Sequence, residues 1–173
     1  PSPNMPTLDT ATVYPGMCLI EGTHLSEGRG TTLPFELVGA PYINPHKLAD
    51  ELKKEQLPGV HFRPHYFKPM FQKWNREVCG GVQLHVTDRN PFKPFLTGIA
   101  VIRAISRLYP EQFAWRTEPY EFVSDRLAID LLYGNSTFRE NIMNDDETLG
   151  TIEDSWNEDL EEFKKLRREF LIY

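Results

Sequence analysis

Residues 95–109, FLTGIAVIRAISRLY, are apolar nearly all the way round at helical spacing, and this constrains the fold more than any other stretch. A helix without a polar face must be covered on several sides. The run is also shorter than the ~18 apolar residues that mark a membrane span, and no other run approaches that length. Two alternating stretches supply the covering sheet. In residues 81–88, Val82, Leu84 and Val86 point one way and Gln83, His85 and Thr87 the other. In residues 60–67, Val60, Phe62 and Tyr66 oppose His61, Arg63 and His65. Pro64 lies inside the second run and marks an edge strand or a bulge.

The remaining elements follow from caps and periodicity. Residues 34–40 predict another strand, closed by Pro41, and residues 16–21 a buried strand or helical turn. Asn44 caps a helix over 45–56 that buries Leu48 and Leu52 and ends at Pro58-Gly59. Short helices are predicted at about 121–133 and 135–143. Residues 148–171 carry Leu149, Ile152, Trp156, Leu160, Phe163, Leu166 and Phe170 at helical spacing. Acids fill the first half of that segment and bases the last turns, which suits the helix dipole and reads as a solvated face. The sum is an α+β fold with a small mixed β-sheet covered by helices and a long amphipathic C-terminal helix.

The 173 residues make one domain, and a formal charge of −6 argues against binding nucleic acid through phosphates. Cys18 and Cys79 lack zinc-site spacing and are either a disulfide or two buried thiols. The opening Pro-Ser-Pro-Asn-Met-Pro reads as a linker entering a domain of a longer polypeptide, with no targeting signal.

Chemistry concentrates in EGTHLSEGRGT, residues 21–31. Gly28 and Gly30 allow a concave turn of backbone N–H groups, and Arg29 between them adds a forked donor suited to a carboxylate. Glu21 and Glu27 either pair with Arg29 or accept from sugar hydroxyls. The alternative is a structural turn closed by a Glu27–Arg29 salt bridge. The stretch matches neither phosphate-binding glycine motif nor the nucleophile elbow. His85 and Asp88 end the strand of 81–88, where ligands often bind, although Asp88-Arg89-Asn90-Pro91 is also good turn chemistry. His61 and His65, four apart on a strand, lie ~13 Å from each other and do not make a metal pair. Tyr66, Phe67, Phe71 and Trp74 suit either a sugar-stacking wall or a hydrophobic lid.

The segments YPGMCLIEGTHLSEGRGTTLPFELVGAPYI, GVHFRPHYFKPMFQKW, CGGVQLHVTDRNPFKPFLTGI, LYPEQFAW and RREFLIY together resemble the C-terminal part of the bacterial NamZ-like exo-β-N-acetylmuramidases. The resemblance covers the whole chain, and EGT-x-x-SEGRGT is its specific core, with His24 standing where relatives often have Asn. It implies that residues 1–173 are the C-terminal subdomain of a larger protein, partnered by a Rossmann-like N-terminal subdomain across an active-site cleft. It further implies a periplasmic or secreted glycoside hydrolase that removes terminal N-acetylmuramic acid from peptidoglycan fragments without metal or other cofactor. Glycoside hydrolysis uses carboxyl groups, and the candidates are Glu21, Glu27 and Asp88. Thr23, Ser26, Gly28, Arg29, Gly30, Thr31 and His85 are the expected substrate-binding residues, with Arg29 reading the lactyl carboxylate. The proton donor is expected in the N-terminal part. The alternatives are a non-catalytic sugar-binding module and an interaction domain, the latter expecting Trp156 and Phe163 on an exposed stripe.

Overall fold

The computed structural model describes residues 2–172, so that Pro1 of the opening and Tyr173 of the closing motif lie outside it. The chain divides into two compact units, the first ending at Met143 and the second beginning at Asn144.

The first unit is built on three strands in the order β1-β3-β2: β1 (Leu37–Ala40), β2 (Val60–Phe67) and β3 (Cys79–Val86). Both pairings are antiparallel, Leu37 facing Gln83 and Phe62 facing Leu84. The sheet is thus antiparallel throughout rather than mixed. The reason is an insertion: β1 and β2 run parallel to each other through α2 (Pro45–Lys54), and β3 comes between them. β2 is an edge strand, which accommodates Pro64.

The strand faces divide only in part as the alternation predicts: Tyr66, expected on the apolar side, is exposed, and Gln83, expected on the polar side, is buried. Val38, Phe62, Val82 and Leu84 are buried on one face. α2 brings Leu48, Ala49 and Leu52 into the core, and the Asn44 side chain caps it by accepting from His46 N and Lys47 N at 3.0 and 3.1 Å. α3 (Pro94–Leu108) is buried without a break from Leu96 to Ser106, as its all-round apolar sequence requires.

Of the two readings of residues 16–21, strand or helical turn, the structure takes the turn, and a helix that the sequence reading did not include precedes it. Residues 8–22 form α1 (Leu8–Met17), capped by Thr7, and a 3-10 turn (Cys18–Gly22). α1 packs on α3 through glycines. An ideal Cβ on Gly98 would lie 2.2 Å from Gly16 O, and one on Gly16 would lie 1.7 Å from Pro94 O. Residues 121–127 are not helical, and α4 (Ala128–Tyr133) and α5 (Thr137–Asn141) are shorter than predicted. Both cysteines are free thiols, and burial pushes that of Cys79 up to about 11.

In the second unit the predicted single helix is two. α6 (Leu149–Asp154) starts with a Thr148–Thr151 capping box, and α7 (Asn157–Arg167) follows a break at Ser155-Trp156. α7 buries no residue. Leu160, Phe163 and Leu166 are 40%, 58% and 56% exposed, while Trp156 is half-buried.

Candidate functional site

The loop after the 3-10 turn is fixed to the sheet by its backbone. Ser26 and Gly39 exchange two hydrogen bonds, of 2.9 and 3.1 Å, and Phe35 N donates to Glu27 O at 2.6 Å. Phe35 pays for that closure with a φ of 64°, unusual for a bulky residue. Its ring is held edge-on by Tyr14 at 4.8 Å and carries the Arg29 guanidinium 5.3 Å from its centroid. Gly30 has a φ of 85°, and a Cβ there would meet Met70 N at 2.8 Å, so glycine is required where the loop meets the segment after β2.

The loop's polar groups are largely turned inward. The Thr23 hydroxyl, fully buried, donates to Ile20 O and accepts from Leu25 N. Ser26 Oγ accepts from Gly28 N at 3.2 Å, and Thr31 Oγ1 donates to Gly28 O at 2.6 Å while accepting from Leu33 N. Of the expected nest, Gly28 N is used by Ser26 and Thr31 N by Gly28 O. Thr23, Ser26, Gly28 and Thr31 therefore shape the loop from within. They do not present an array of vacant donors.

Beside them lies a cluster of charge that runs from the buried Glu27 to the partly open Arg29. Arg29 Nη2 donates to Glu21 Oε1 at 2.5 Å, and Arg29 Nε lies 3.4 Å from Glu27 Oε1. Lys73 Nζ donates to Glu27 Oε2 at 3.0 Å and to Ile20 O at 3.1 Å. Tyr120 Oη donates to Glu21 Oε2 at 3.0 Å. Both predicted pairings of Arg29, with Glu21 and with Glu27, are present. Its guanidinium keeps a side-chain exposure of 24%, so it is not sealed inside. Its fork hydrogen-bonds one carboxylate of its own chain, that of Glu21, while its Nε lies within ion-pair range of Glu27 without a hydrogen bond.

The two glutamates differ in access. Glu27 is 4% exposed, with one oxygen toward Arg29 and the other on Lys73. Glu21 is 13% exposed and lies at the rim. Burial lowers the Lys73 ammonium from its ordinary value, a shift opposed by Glu27 and Glu21. Burial raises the Tyr120 phenol, and the Glu21 carboxylate adds to the rise. Tyr120 is therefore a firm donor that holds Glu21 as an acceptor.

Asp88 and His85 are not part of this cluster. Asp88 is exposed and accepts from Asn90 N at 3.0 Å, the turn role, while Arg89 pairs with Asp9. His85 lies on the outer sheet face opposite His61. Of the aromatic run, Phe67 is buried with Leu37 and Cys79, and Trp74 packs against them, so half of the expected wall is core. A groove of about 430 Å³ between α2 and β2, lined by Asp50, Lys53, His61 and Pro64 among others, contains none of the loop residues. Among the described residues no group of three or more His, Cys, Asp or Glu side chains is placed to hold a metal ion.

Lys73 and Tyr120 were missed from sequence. Lys73 sits in a stretch dominated by aromatics, and Tyr120 is 99 residues from its partner. No local pattern links them to the loop.

The family model for the C-terminal part of exo-beta-N-acetylmuramidase NamZ matches residues 12–173. A Bacillus subtilis (strain 168) protein, peptidoglycan beta-N-acetylmuramidase NamZ, is 47% identical over all 173 residues. The chain spans 40% of that relative's length. Two solved DUF1343 family proteins from Bacteroides fragilis NCTC 9343 share the fold. One has a TM-score of 0.81 and 28% identity, over 99% of this chain and 44% of its own. The other has a TM-score of 0.68 and 27% identity, over 100% and 43%.

Proposed function

The chain belongs to the family of NamZ C-terminal domains, and on that premise we propose that it supplies one side of the active-site cleft of a glycoside hydrolase. The substrate is a peptidoglycan fragment ending in N-acetylmuramic acid, and a preceding N-terminal subdomain closes the cleft and donates the proton. The observation that carries this reading is the rim carboxylate of Glu21, held from two sides by Arg29 and Tyr120 while remaining partly open. A carboxylate gripped by a guanidinium and a phenol is an acceptor of fixed direction. It suits a sugar hydroxyl or the acetamide N–H, and an oriented acetamide can itself attack the anomeric carbon. Its carbonyl oxygen bonds to C1 as the C1–O bond breaks, the leaving oxygen takes the proton donated by the N-terminal subdomain, and water then adds at C1 to release the acetamide. Arg29 acts here as the positioning residue for Glu21 and Glu27. Glu27, closed in by Lys73, is its buried anchor. Such an enzyme acts where peptidoglycan lies, in the periplasm or outside the cell.

The test is turnover of a chromogenic muramyl glycoside by the full-length protein. Wild type is expected to release the chromophore and to discriminate against the glucosaminyl analogue, and Glu21→Gln to lower kcat/KM about 100-fold. Saccharide binding without release would instead support a non-catalytic module. Exposed Leu160, Phe163 and Leu166 of α7 favour a second reading, an added role for the second unit in contacting a protein partner.

A further inference from the structure

The outer face of the β2–β3 ribbon gathers cationic and donor groups, and among the described residues the contacts of its arginine include no carboxylate. In register, His61 faces His85 and Arg63 faces Gln83, with His65 next along β2. Residues paired in this way stand about 5 Å apart at Cβ, so all five side chains share one patch. Arg63 Nη2 donates to Gln83 Oε1 and lies 3.3 Å from His65 Nδ1. A guanidinium only donates, so His65 Nδ1 accepts and its proton is on Nε2, pointing away as a donor. Burial first, and then the neighbouring Arg63 and His85, lower the His65 imidazolium. His85 Nε2 is buried and has no hydrogen-bond partner in the structure. Arg63 pairs with no carboxylate among the described residues, in a chain whose net charge is −6.

An exposed guanidinium and two half-buried imidazoles, one of them with a buried ring nitrogen that has no hydrogen-bond partner, are a poor surface for solubility on an acidic protein and a good one for an anion. We propose that this face is a binding site for an oxyanion, a carboxylate or a phosphate, taken up by the remaining Arg63 N–H groups, His65 Nε2 and His85, with His61 at its border. The site is separate from the Glu21–Arg29–Glu27–Lys73 cluster and shares no hydrogen bond with it. Its occupant is the acidic group of a ligand or of another part of the substrate. No His, Cys, Asp or Glu set among the described residues is placed to hold a metal there, which leaves the anion as the fitting partner.

The experiment is a two-dimensional ¹H–¹⁵N titration of the 173-residue chain with sodium acetate and, separately, inorganic phosphate, at constant ionic strength set with chloride. The expected result is saturable shifts at the amides of residues 61–65 and 81–85, with half-saturation at roughly a few millimolar for at least one probe. Saturation by phosphate alone marks a phosphate site, and by acetate alone a carboxylate site. Arg63→Gln and, as a second variant that leaves the Arg63–Gln83 contact in place, His85→Gln should each weaken binding about tenfold. Arg29→Ala should not change it. Absence of saturation with both probes would overturn the proposal, as would saturation that both sheet variants leave unchanged or that Arg29→Ala removes.

Discussion

Glu21 and Glu27 share an arginine and have opposite fates. Glu27 faces Arg29 with one oxygen and Lys73 with the other, at 4% exposure, whereas Glu21 keeps an open edge. Removing one member of a buried pair leaves an uncompensated charge, which costs more than the pair contributes. Lys73→Ala is therefore expected to destabilise the chain by about 2–4 kcal/mol in urea unfolding. Lys73→Met combined with Glu27→Gln should recover part of that loss, because position 27 then no longer carries a buried charge with Arg29 as its one remaining described ion-pair partner. A destabilisation below about 0.5 kcal/mol for Lys73→Ala would mean that solvent reaches Glu27 and that the anchor is not buried.

At the scale of elements, the α1–α3 crossing and the β2 edge carry the sharpest consequences. The backbones of Gly16 and Gly98 touch, so a methyl at position 98 has only the carbonyl of Gly16 to displace. Gly98→Ala should cost more than about 3 kcal/mol and register as a large drop in Tm. An unchanged Tm would show that the helices can part freely. On β2 the lowered His65 imidazolium sets a sign. Its folded-state value lies below that of the unfolded chain, so as pH falls through the range below 6.5 the unfolded state takes up the proton first. Stability contributed there is present at neutral pH and lost in mild acid, and His65→Asn should flatten that slope in urea melts across the interval. The groups facing His65 in this argument are Arg63 and His85.

These elements also show what could be read in advance. β2, the α2 cap at Asn44 and the buried α3 were legible because alternation, a capping Asn and all-round apolarity are local signals. α1 was not: Pro15 falls inside it, Thr10, Thr12 and Val13 are β-branched, and its burial rests on glycine contacts with α3 that lie 82 residues away in sequence, from Gly16 to Gly98. The break at Ser155-Trp156 was hidden because the apolar spacing continues across it. In the site, the Glu21–Arg29–Glu27 pairing was visible as spacing. Lys73 and Tyr120 come from elsewhere in the chain, and the inward turn of Thr23, Ser26 and Thr31 follows from backbone closure at Phe35, whose left-handed φ no motif announces.

For the whole molecule, the chain matches 40% of a relative's length, and in the proposed cleft the Glu21 rim is one of two walls. The measurement closest to the central claim is a structure of the full-length protein with N-acetylmuramic acid bound. The sugar is predicted to sit with a hydroxyl or its acetamide N–H within hydrogen-bond distance of a Glu21 oxygen, Arg29 and Tyr120 still gripping that carboxylate from behind. A saccharide seated elsewhere, with Glu21 touching only Arg29 and Tyr120, would contradict the account.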